Sequence, residues 1–204
     1  MLKRTSIDFV NRLIKNNTGW KVLDIGCGFR ANENATIIAD IKDLSEYYKN
    51  KKFVKIESKK LPFNDKEFDY VIASHVIEHV DDFEFFIKEL ERISSKGYIE
   101  LPTRLGDNLV FENKNDHIWW FVYDDISNQI LASKRNQLVD PFMTVSTGKI
   151  FEKIFRESLV LEIAWENEIE YQINNELRFE KFQKISFLQL IKKYFSKIIR
   201  RILK

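Results

Sequence analysis

The sequence predicts an α/β protein in which a mainly parallel sheet carries helices on both faces and ends in an antiparallel C-terminal hairpin. Two observations predict this class. Short apolar runs alternate with amphipathic helices or loops, which is typical of parallel strands that are buried on both faces. Near the end, SLVLEIAWENEIEYQI at residues 158–173 contains two strand-like runs around a turn near residues 165–167. This second pattern indicates antiparallel strands at one edge of the sheet.

The individual elements follow from local patterns. Residues 3–16 and 81–94 place apolar side chains at helical spacing, and Asp81 and Asp82 suit a helix N-terminus. Residues 104–150 show no clear periodicity but contain HIWWFVYDD, which favours a lid or substrate loop over sheet. Five apolar runs predict strands: VLDI within TGWKVLDIGCG, then residues 37–40, 53–57, 68–74 and 98–102.

Composition limits the class of protein. The chain has 204 residues, 44% of them hydrophobic, which is enough for one well-filled core. Cys27 is the single cysteine, so neither a disulfide framework nor a thiolate zinc site is expected. No long uncharged apolar run occurs, so we predict neither a signal peptide nor a transmembrane helix, and we expect a cytoplasmic protein. Residues 1–180 are predicted to form the main domain and residues 181–204 a basic amphipathic helix.

The segment VLDIGCGFR at residues 22–30 is the most informative one. Two glycines after a buried strand allow a sharp turn in which backbone amides approach a ligand closely. Asp40, at the end of the next strand, is placed to accept hydrogen bonds from a ribose diol. A nucleotide-type ligand is therefore predicted. The alternative is an ordinary tight turn beside a solvent-facing Asp40.

Four segments occur in a familiar order and spacing: VLDIGCG, IIADI, LPFNDKEFDYVIASHVIEHVDD and GYIELP. Over residues 20 to 121 the chain resembles the class I S-adenosylmethionine-dependent methyltransferases, in particular a branch with an LPF…FD.V…EHV signature that is similar to surface-glycan methyltransferases. The resemblance implies a Rossmann-like fold, S-adenosylmethionine as cofactor, and methyl transfer to an oxygen or nitrogen of a cell-surface glycan or lipid-linked precursor. Two alternatives stay open: a metal-dependent methyltransferase of small molecules or RNA, and an inactive protein that binds S-adenosylmethionine.

The resemblance also implies cofactor-binding residues. Arg30 stands where the pattern usually has a third glycine, and the short segment before Asp40 has room for about one helical turn. Matched position by position, the motifs assign Asp24, Gly26 and Gly28 to the methionine part, Asp40 to the ribose, Glu57 to the adenine with Ser58 directly after it, and Ser74 to the cofactor side of the fourth strand. Cys27 and Ile41, which lie within or next to these motifs, are also predicted to bind the cofactor.

The pentapeptide HVIEH at residues 75–79 matches the H-x-x-E-H pattern of a class of zinc peptidases. It directly follows a predicted strand, however, and ligands bind at the carboxyl ends of parallel strands. Three interpretations stay open: Glu78 and His79 are structural; His75 faces the substrate as a base; or His75, Glu78 and His79 hold a divalent metal. His117 is the other candidate base, because the resemblance implies an acceptor pocket there.

The C-terminal segment, residues 184–204, repeats apolar side chains every three or four residues and is rich in Lys and Arg. Of the 33 basic residues, eight lie from Lys181 onward, where no acidic residue occurs. This pattern predicts a helix that lies on an anionic membrane surface, with the protein peripheral at the inner membrane face. Packing on the protein's own sheet or in a homodimer stays open, and nucleic acid is the least favoured partner.

Overall fold

The computed structural model describes residues 1–174 and 183–202. Within them, seven strands form one sheet in the order β1-β9-β6-β5-β2-β3-β4, and three form a second sheet in the order β10-β8-β7. The strands are β1 (Leu2–Arg4), β2 (Val22–Ile25), β3 (Ile37–Asp40), β4 (Lys52–Lys55), β5 (Tyr70–Ser74), β6 (Lys96–Pro102), β7 (Trp119–Asp124), β8 (Gln129–Lys134), β9 (Val160–Glu166) and β10 (Tyr171–Ile173).

Strands β2 to β6 run parallel, and β9 lies antiparallel to both β6 and β1. The predicted α/β class with a mainly parallel, Rossmann-like sheet is confirmed. Both β2 and β3 are buried along their whole length, which explains their continuous apolar runs. The five strands predicted from these runs are present, with ends that differ by up to two residues.

Two helices cover opposite faces of the large sheet. Helix α1 (Ile7–Asn16) packs Val10 and Ile14 on one face, and α2 (Phe83–Ile93) packs its apolar side on the other. Helix α1 begins later than predicted, because residues 2–4 pair with β9 as a strand. The Asp82 side chain accepts a hydrogen bond from the backbone amide of Phe85 and so caps α2.

Residues 104–150 contain more regular structure than the sequence predicted. Helices α3 (Arg104–Leu109) and α4 (Asn113–Asp116) precede the antiparallel pair β7 and β8, and α5 (Val145–Leu159) follows. The expectation of a loop without sheet was wrong. The aromatic run forms β7, whose first three residues are buried, and Trp119 and Phe121 pack against Phe83 of α2.

The C-terminal strands also differ from the predicted hairpin. Antiparallel strands do lie at the expected sheet edge, where β9 pairs with β6 and β1. The second strand of the predicted hairpin, β10, instead joins the small sheet parallel to β8. Asn167 has a left-handed backbone (φ 65°), and the turn that contains it directs the chain away from β9.

Helix α6 (Phe187–Ile202) begins near residues 139–142, where Ile185 bridges to Val139 and Lys184 pairs with Asp140. None of its described side chains is buried. Residues 181–182 and 203–204 of the predicted tail lie outside the described residues. Among the helices that the structure describes, none is long and apolar enough to cross a membrane.

Candidate functional site

The turn after β2 depends on two glycines in the left-handed conformation. Gly26 has φ 68° and Gly28 has φ 50°, values that residues with a side chain adopt at a cost. A Cβ on Gly26 would lie 2.3 Å from Cγ2 of Val76. A Cβ on Gly28 would meet nothing within 4 Å among the described atoms. The backbone at Gly28 is therefore open to a ligand.

Asp40 holds this turn in place. One carboxylate oxygen of Asp40 accepts a hydrogen bond from the Gly28 amide at 2.9 Å, and the other accepts one from the Lys42 amide at 2.8 Å. The side chain is buried beneath the rim of the turn. Each oxygen keeps a free lone pair, so the carboxylate can accept hydrogen bonds from a ligand diol as well.

A cavity of about 990 Å³ opens above this turn, at the carboxyl ends of the parallel strands. Ligands of open α/β sheets bind at this edge, and the volume is in the range of ligand sites. Two large apolar side chains on its wall, Phe29 and Ile41, are 60% and 72% exposed. Six predicted cofactor residues line it: Gly26, Gly28, Asp40, Ile41, Glu57 and Ser58.

Three predicted cofactor residues, Asp24, Cys27 and Ser74, do not line the cavity. The Asp24 carboxylate is buried and accepts a hydrogen bond from the Asn32 amide at 2.6 Å. Burial raises the pKa of Asp24 to about 7, against the opposing effect of that hydrogen bond. Burial, together with the nearby Asp24 and Asp40, raises the pKa of the Cys27 thiol to about 12, so the thiol stays protonated. The Ser74 hydroxyl donates to Glu100 at 3.1 Å.

The adenine side of the predicted site is open to solvent. The Glu57 side chain is 76% exposed and pairs with Lys55 at 3.2 Å. The Ser58 hydroxyl donates to the Lys60 carbonyl at 2.7 Å. A ligand at this rim would therefore compete with contacts that the two side chains already make.

His75 lines the cavity but has no free ring nitrogen. Its Nδ1 lies 3.1 Å from Glu78 and its Nε2 lies 3.2 Å from Glu100. Burial by itself lowers the pKa of His75, but the hydrogen bonds to Glu100 and Glu78 outweigh it and raise the pKa to about 10. An imidazolium that donates both protons cannot accept another, so the geometry disfavours His75 as a base.

The pKa of Glu100, the carboxylate beside His75, is shifted in the opposite direction. Burial by itself raises the pKa of Glu100, but its contacts with His75, Tyr98 and Arg156 lower the pKa to about 2. Glu100 thus stays ionised and holds His75 protonated. His75 is therefore a fixed positive charge on the rim of the cavity at the end of β5, held by the buried Glu100 of β6.

The other two histidines meet beside this rim. The rings of His79 and His117 lie 4.6 Å apart and nearly perpendicular. His79 is exposed and lines the cavity, whereas His117 lies behind it and does not reach the wall. His79 Nδ1 donates to the Asp116 carbonyl at 2.9 Å, and His117 Nδ1 donates to Asp107 at 2.5 Å. In each ring Nε2 has no partner among the hydrogen bonds of the described chain.

Sequence reasoning missed Asp107 and Val76. Asp107 is fully buried and also accepts hydrogen bonds from Trp120 and Arg135, at 2.6 and 2.7 Å. No local pattern marks this residue, because its partners come from different elements. Val76 follows His75 in the quoted pentapeptide, but only the folded chain shows its contact with the glycine turn.

Residues 23–99 match the family model described as "Methyltransferase domain". No curated protein matches the chain. Among solved structures, the YcgJ protein from Bacillus subtilis is 19% identical with a TM-score of 0.40, and the alignment covers 48% of this chain and 52% of that one. The chain thus spans about half the length of that protein.

Two further solved structures align over more of the chain. The PH0226 protein from Pyrococcus horikoshii is 19% identical with a TM-score of 0.45, and covers 78% of this chain and 88% of its own. An S-adenosylmethionine-dependent methyltransferase from Mesorhizobium loti is 12% identical with a TM-score of 0.43, and covers 79% of this chain and 100% of its own.

Residues 23–99 are therefore similar to a methyltransferase domain. The cofactor that the sequence resemblance implies for such a domain is S-adenosylmethionine. One structural observation indicates that the residues present can accommodate that cofactor. No described atom occupies the space where a Cβ of Gly28 would lie, so a ligand can approach the backbone there. Beside it lies the Asp40 carboxylate, which has acceptor capacity to spare.

Proposed function

We propose that the whole protein transfers a methyl group from S-adenosylmethionine to an oxygen or nitrogen acceptor. The observation that carries the proposal is the cavity over the Gly26–Gly28 turn, with the Asp40 carboxylate at its floor. The chain's part in such a reaction is to hold donor and acceptor in line.

In the proposed complex, polar groups of the cofactor bind to the turn and to Asp40. The turn at Gly26–Gly28, whose backbone is open at Gly28, takes the methionine part, and Asp40 accepts hydrogen bonds from the ribose hydroxyls. Ile41 provides an apolar surface for the adenine, with Glu57 and Ser58 at its edge. Asp24, Cys27 and Ser74 do not line the cavity and would support this site indirectly.

The acceptor is placed on the other side of the cavity, at the edge formed by His75, His79 and Asp116. The cofactor supplies a methyl group that its sulfonium already activates. The protein therefore has to orient the acceptor and remove its proton. His79 offers a free Nε2 at this edge, His117 lies behind it, and His75 remains a fixed cation.

Calorimetric titration with S-adenosylmethionine and with its demethylated product tests the proposal. We expect wild type to bind both, and Asp40→Ala to bind at least about tenfold more weakly, because charge-assisted hydrogen bonds to the ribose are lost. Asp43→Ala is the matched control, since Asp43 is an exposed carboxylate three residues away whose only hydrogen bonds among the described residues are with Ser45. Absence of binding by wild type, or undiminished binding by Asp40→Ala, would contradict the proposal.

We also propose that α6 docks on an anionic membrane surface, which would place the acceptor among lipid-linked or surface-glycan precursors. Leu188, Phe195 and Ile202 are 76%, 55% and 76% exposed. No acidic residue occurs in α6. Exposed apolar side chains and uncompensated positive charge together suit anionic lipid better than neutral lipid.

Co-sedimentation with vesicles tests this docking. The protein should bind phosphatidylglycerol-containing vesicles and not pure phosphatidylcholine vesicles, and high salt should weaken binding. Lys192→Glu with Lys193→Glu should abolish it, whereas Lys49→Glu with Lys52→Glu, which changes the net charge equally, should not. Equal loss in both variants, or a dimer in light scattering that Leu188→Asp dissociates, would contradict membrane docking.

A further inference from the structure

Three side chains beside the cavity bring potential metal ligands together: Glu78, His79 and His117. One ligand atom from each lies within 4.8 Å of the others. They come from the short 3₁₀ helix Ile77–His79 and from the residue that directly follows α4. Such a cluster requires independent support before it indicates a site, because histidines and acids often meet at surfaces.

The first support is an unpartnered buried carboxylate oxygen. Glu78 is fully buried. Its Oε1 contacts His75, but its Oε2 has no hydrogen-bond partner within residues 1–174 and 183–202. A buried carboxylate oxygen without a partner is costly, so a natural protein usually supplies a partner or a cation.

The second support is the way in which both rings are held. His117 Nδ1 donates to the buried Asp107, and His79 Nδ1 donates to the Asp116 carbonyl. Metal-binding histidines typically donate one ring N–H to a carboxylate or carbonyl, which fixes the tautomer and leaves the other nitrogen for the metal. Asp107 is in turn held by Arg135 and Trp120. Both rings are therefore oriented as metal ligands are.

We propose that Nε2 of His79, Nε2 of His117 and Oε2 of Glu78 bind one divalent transition cation of the zinc class. Two imidazoles and one carboxylate suit zinc, whereas magnesium prefers oxygen ligands alone. Ligand nitrogens of tetrahedral zinc lie about 3.3 Å apart, so the three side chains have to close by an ångström or so. His75 is excluded from the set, since Glu78 and Glu100 hold both of its nitrogens.

The position of the cation gives it a role in acceptor binding. His79 and Asp116 line the cavity, so a cation with three protein ligands has its open position on that side. An acceptor hydroxyl at this position would have a lowered pKa and lose its proton more readily. His79 and His117 would then be ligands and not bases, and the proton of the acceptor hydroxyl would pass to solvent water at the cavity. This role rests on the proposed methyl transfer, whereas binding of the cation itself does not.

Titration of ZnCl₂ into the chelator-treated full chain, followed by calorimetry, tests the site. We expect one zinc per chain, and affinity at least about tenfold lower in Glu78→Gln, His79→Gln and His117→Gln. The exposed control Glu46→Gln should bind zinc within about threefold of wild type. MgCl₂ at equal concentration should give no comparable heat. In the cobalt-substituted protein, the visible absorption spectrum should change in His79→Gln.

The result that would overturn the inference is no stoichiometric zinc binding by wild type, or unchanged binding by His79→Gln. His79 is the deciding variant, because its exposed ring can be replaced without opening the core. The parallel titration with S-adenosylmethionine separates the two proposals. Zinc binding without cofactor binding contradicts the proposed function alone, and the reverse result contradicts the metal site alone.

Discussion

The two sides of the cavity are constructed differently. On the cofactor side, Gly26, Gly28 and Asp40 lie within fifteen residues and act through the backbone of one strand–turn–strand unit. On the acceptor side, Glu78 and His117 are 39 positions apart, and His117 is oriented by the buried Asp107 of another element. A local turn leaves a motif in the sequence, whereas a site assembled by packing leaves scattered polar residues.

The acceptor side should therefore be the more fragile one. Asp107→Asn removes the charge that compensates Arg135 inside the protein, which typically costs about 3–5 kcal/mol. We expect a large fall in melting temperature and zinc affinity about 10- to 100-fold lower, because His117 loses its orienting carboxylate. Binding of S-adenosylmethionine by the folded fraction should stay within about threefold of wild type.

Thermal melting and the two titrations check this prediction. The exposed Asp69→Asn is a matched control for the substitution. If Asp107→Asn weakened cofactor and zinc binding equally, the two sides would not be independent.

On the cofactor side, we expect substitutions of the two turn glycines to have the largest effects, because they strain the backbone. Gly26→Ala places a Cβ in a left-handed conformation and against Val76, so we expect about 2 kcal/mol of destabilisation and at least about tenfold weaker cofactor binding. In Gly28→Ala the new Cβ would contact no described protein atom but would occupy space that the ligand needs. We therefore expect weaker cofactor binding and a smaller loss of stability than in Gly26→Ala.

A double substitution tests the reason for the first effect. Adding Val76→Ala to Gly26→Ala should recover part of the lost stability, because the steric conflict is removed. Additive losses in chemical denaturation would show that contact with Val76 does not limit residue 26.

These differences also explain how far the sequence could predict the molecule. Five strands and the glycine turn were predictable, because each is specified within a short segment. The course of β10 and the strand formed by Trp119–Asp124 were not, since distant packing partners decide them. For the same reason HVIEH indicated a metal set that included His75, whereas only the fold brings His117 beside His79.

The buried Asp24 on the cofactor side should make the stability of the protein depend on pH. The pKa of Asp24 is raised to about 7 in the folded chain. Its contribution is fully present below the unfolded pKa, near 4, and is lost as pH rises through 7. A shift of this size corresponds to at most about 4 kcal/mol. Asp24→Asn should therefore gain stability relative to wild type between pH 5 and pH 8.

Melting curves at both pH values check the sign. Asp8→Asn, an exposed acid on α1, serves as the control and should show no such difference. A wild type that becomes more stable than Asp24→Asn as pH rises would contradict the predicted cost of ionising Asp24.

The smallest effect is expected at the exposed rim. Glu57 is 76% exposed and paired with Lys55, so its carboxylate contributes weakly to any ligand contact. Glu57→Gln should change the affinity for S-adenosylmethionine by no more than about fivefold in calorimetry. A loss as large as that of Asp40→Ala would show that the adenine end, rather than the ribose, anchors the cofactor.

A crystal structure with the demethylated cofactor bound tests the central claim most directly. The proposed function predicts ribose hydroxyls within hydrogen-bond distance of Asp40, the methionine part over Gly26 and Gly28, and the sulfur facing His79. Cofactor density elsewhere on the protein, or a ribose without contact to Asp40, would contradict it.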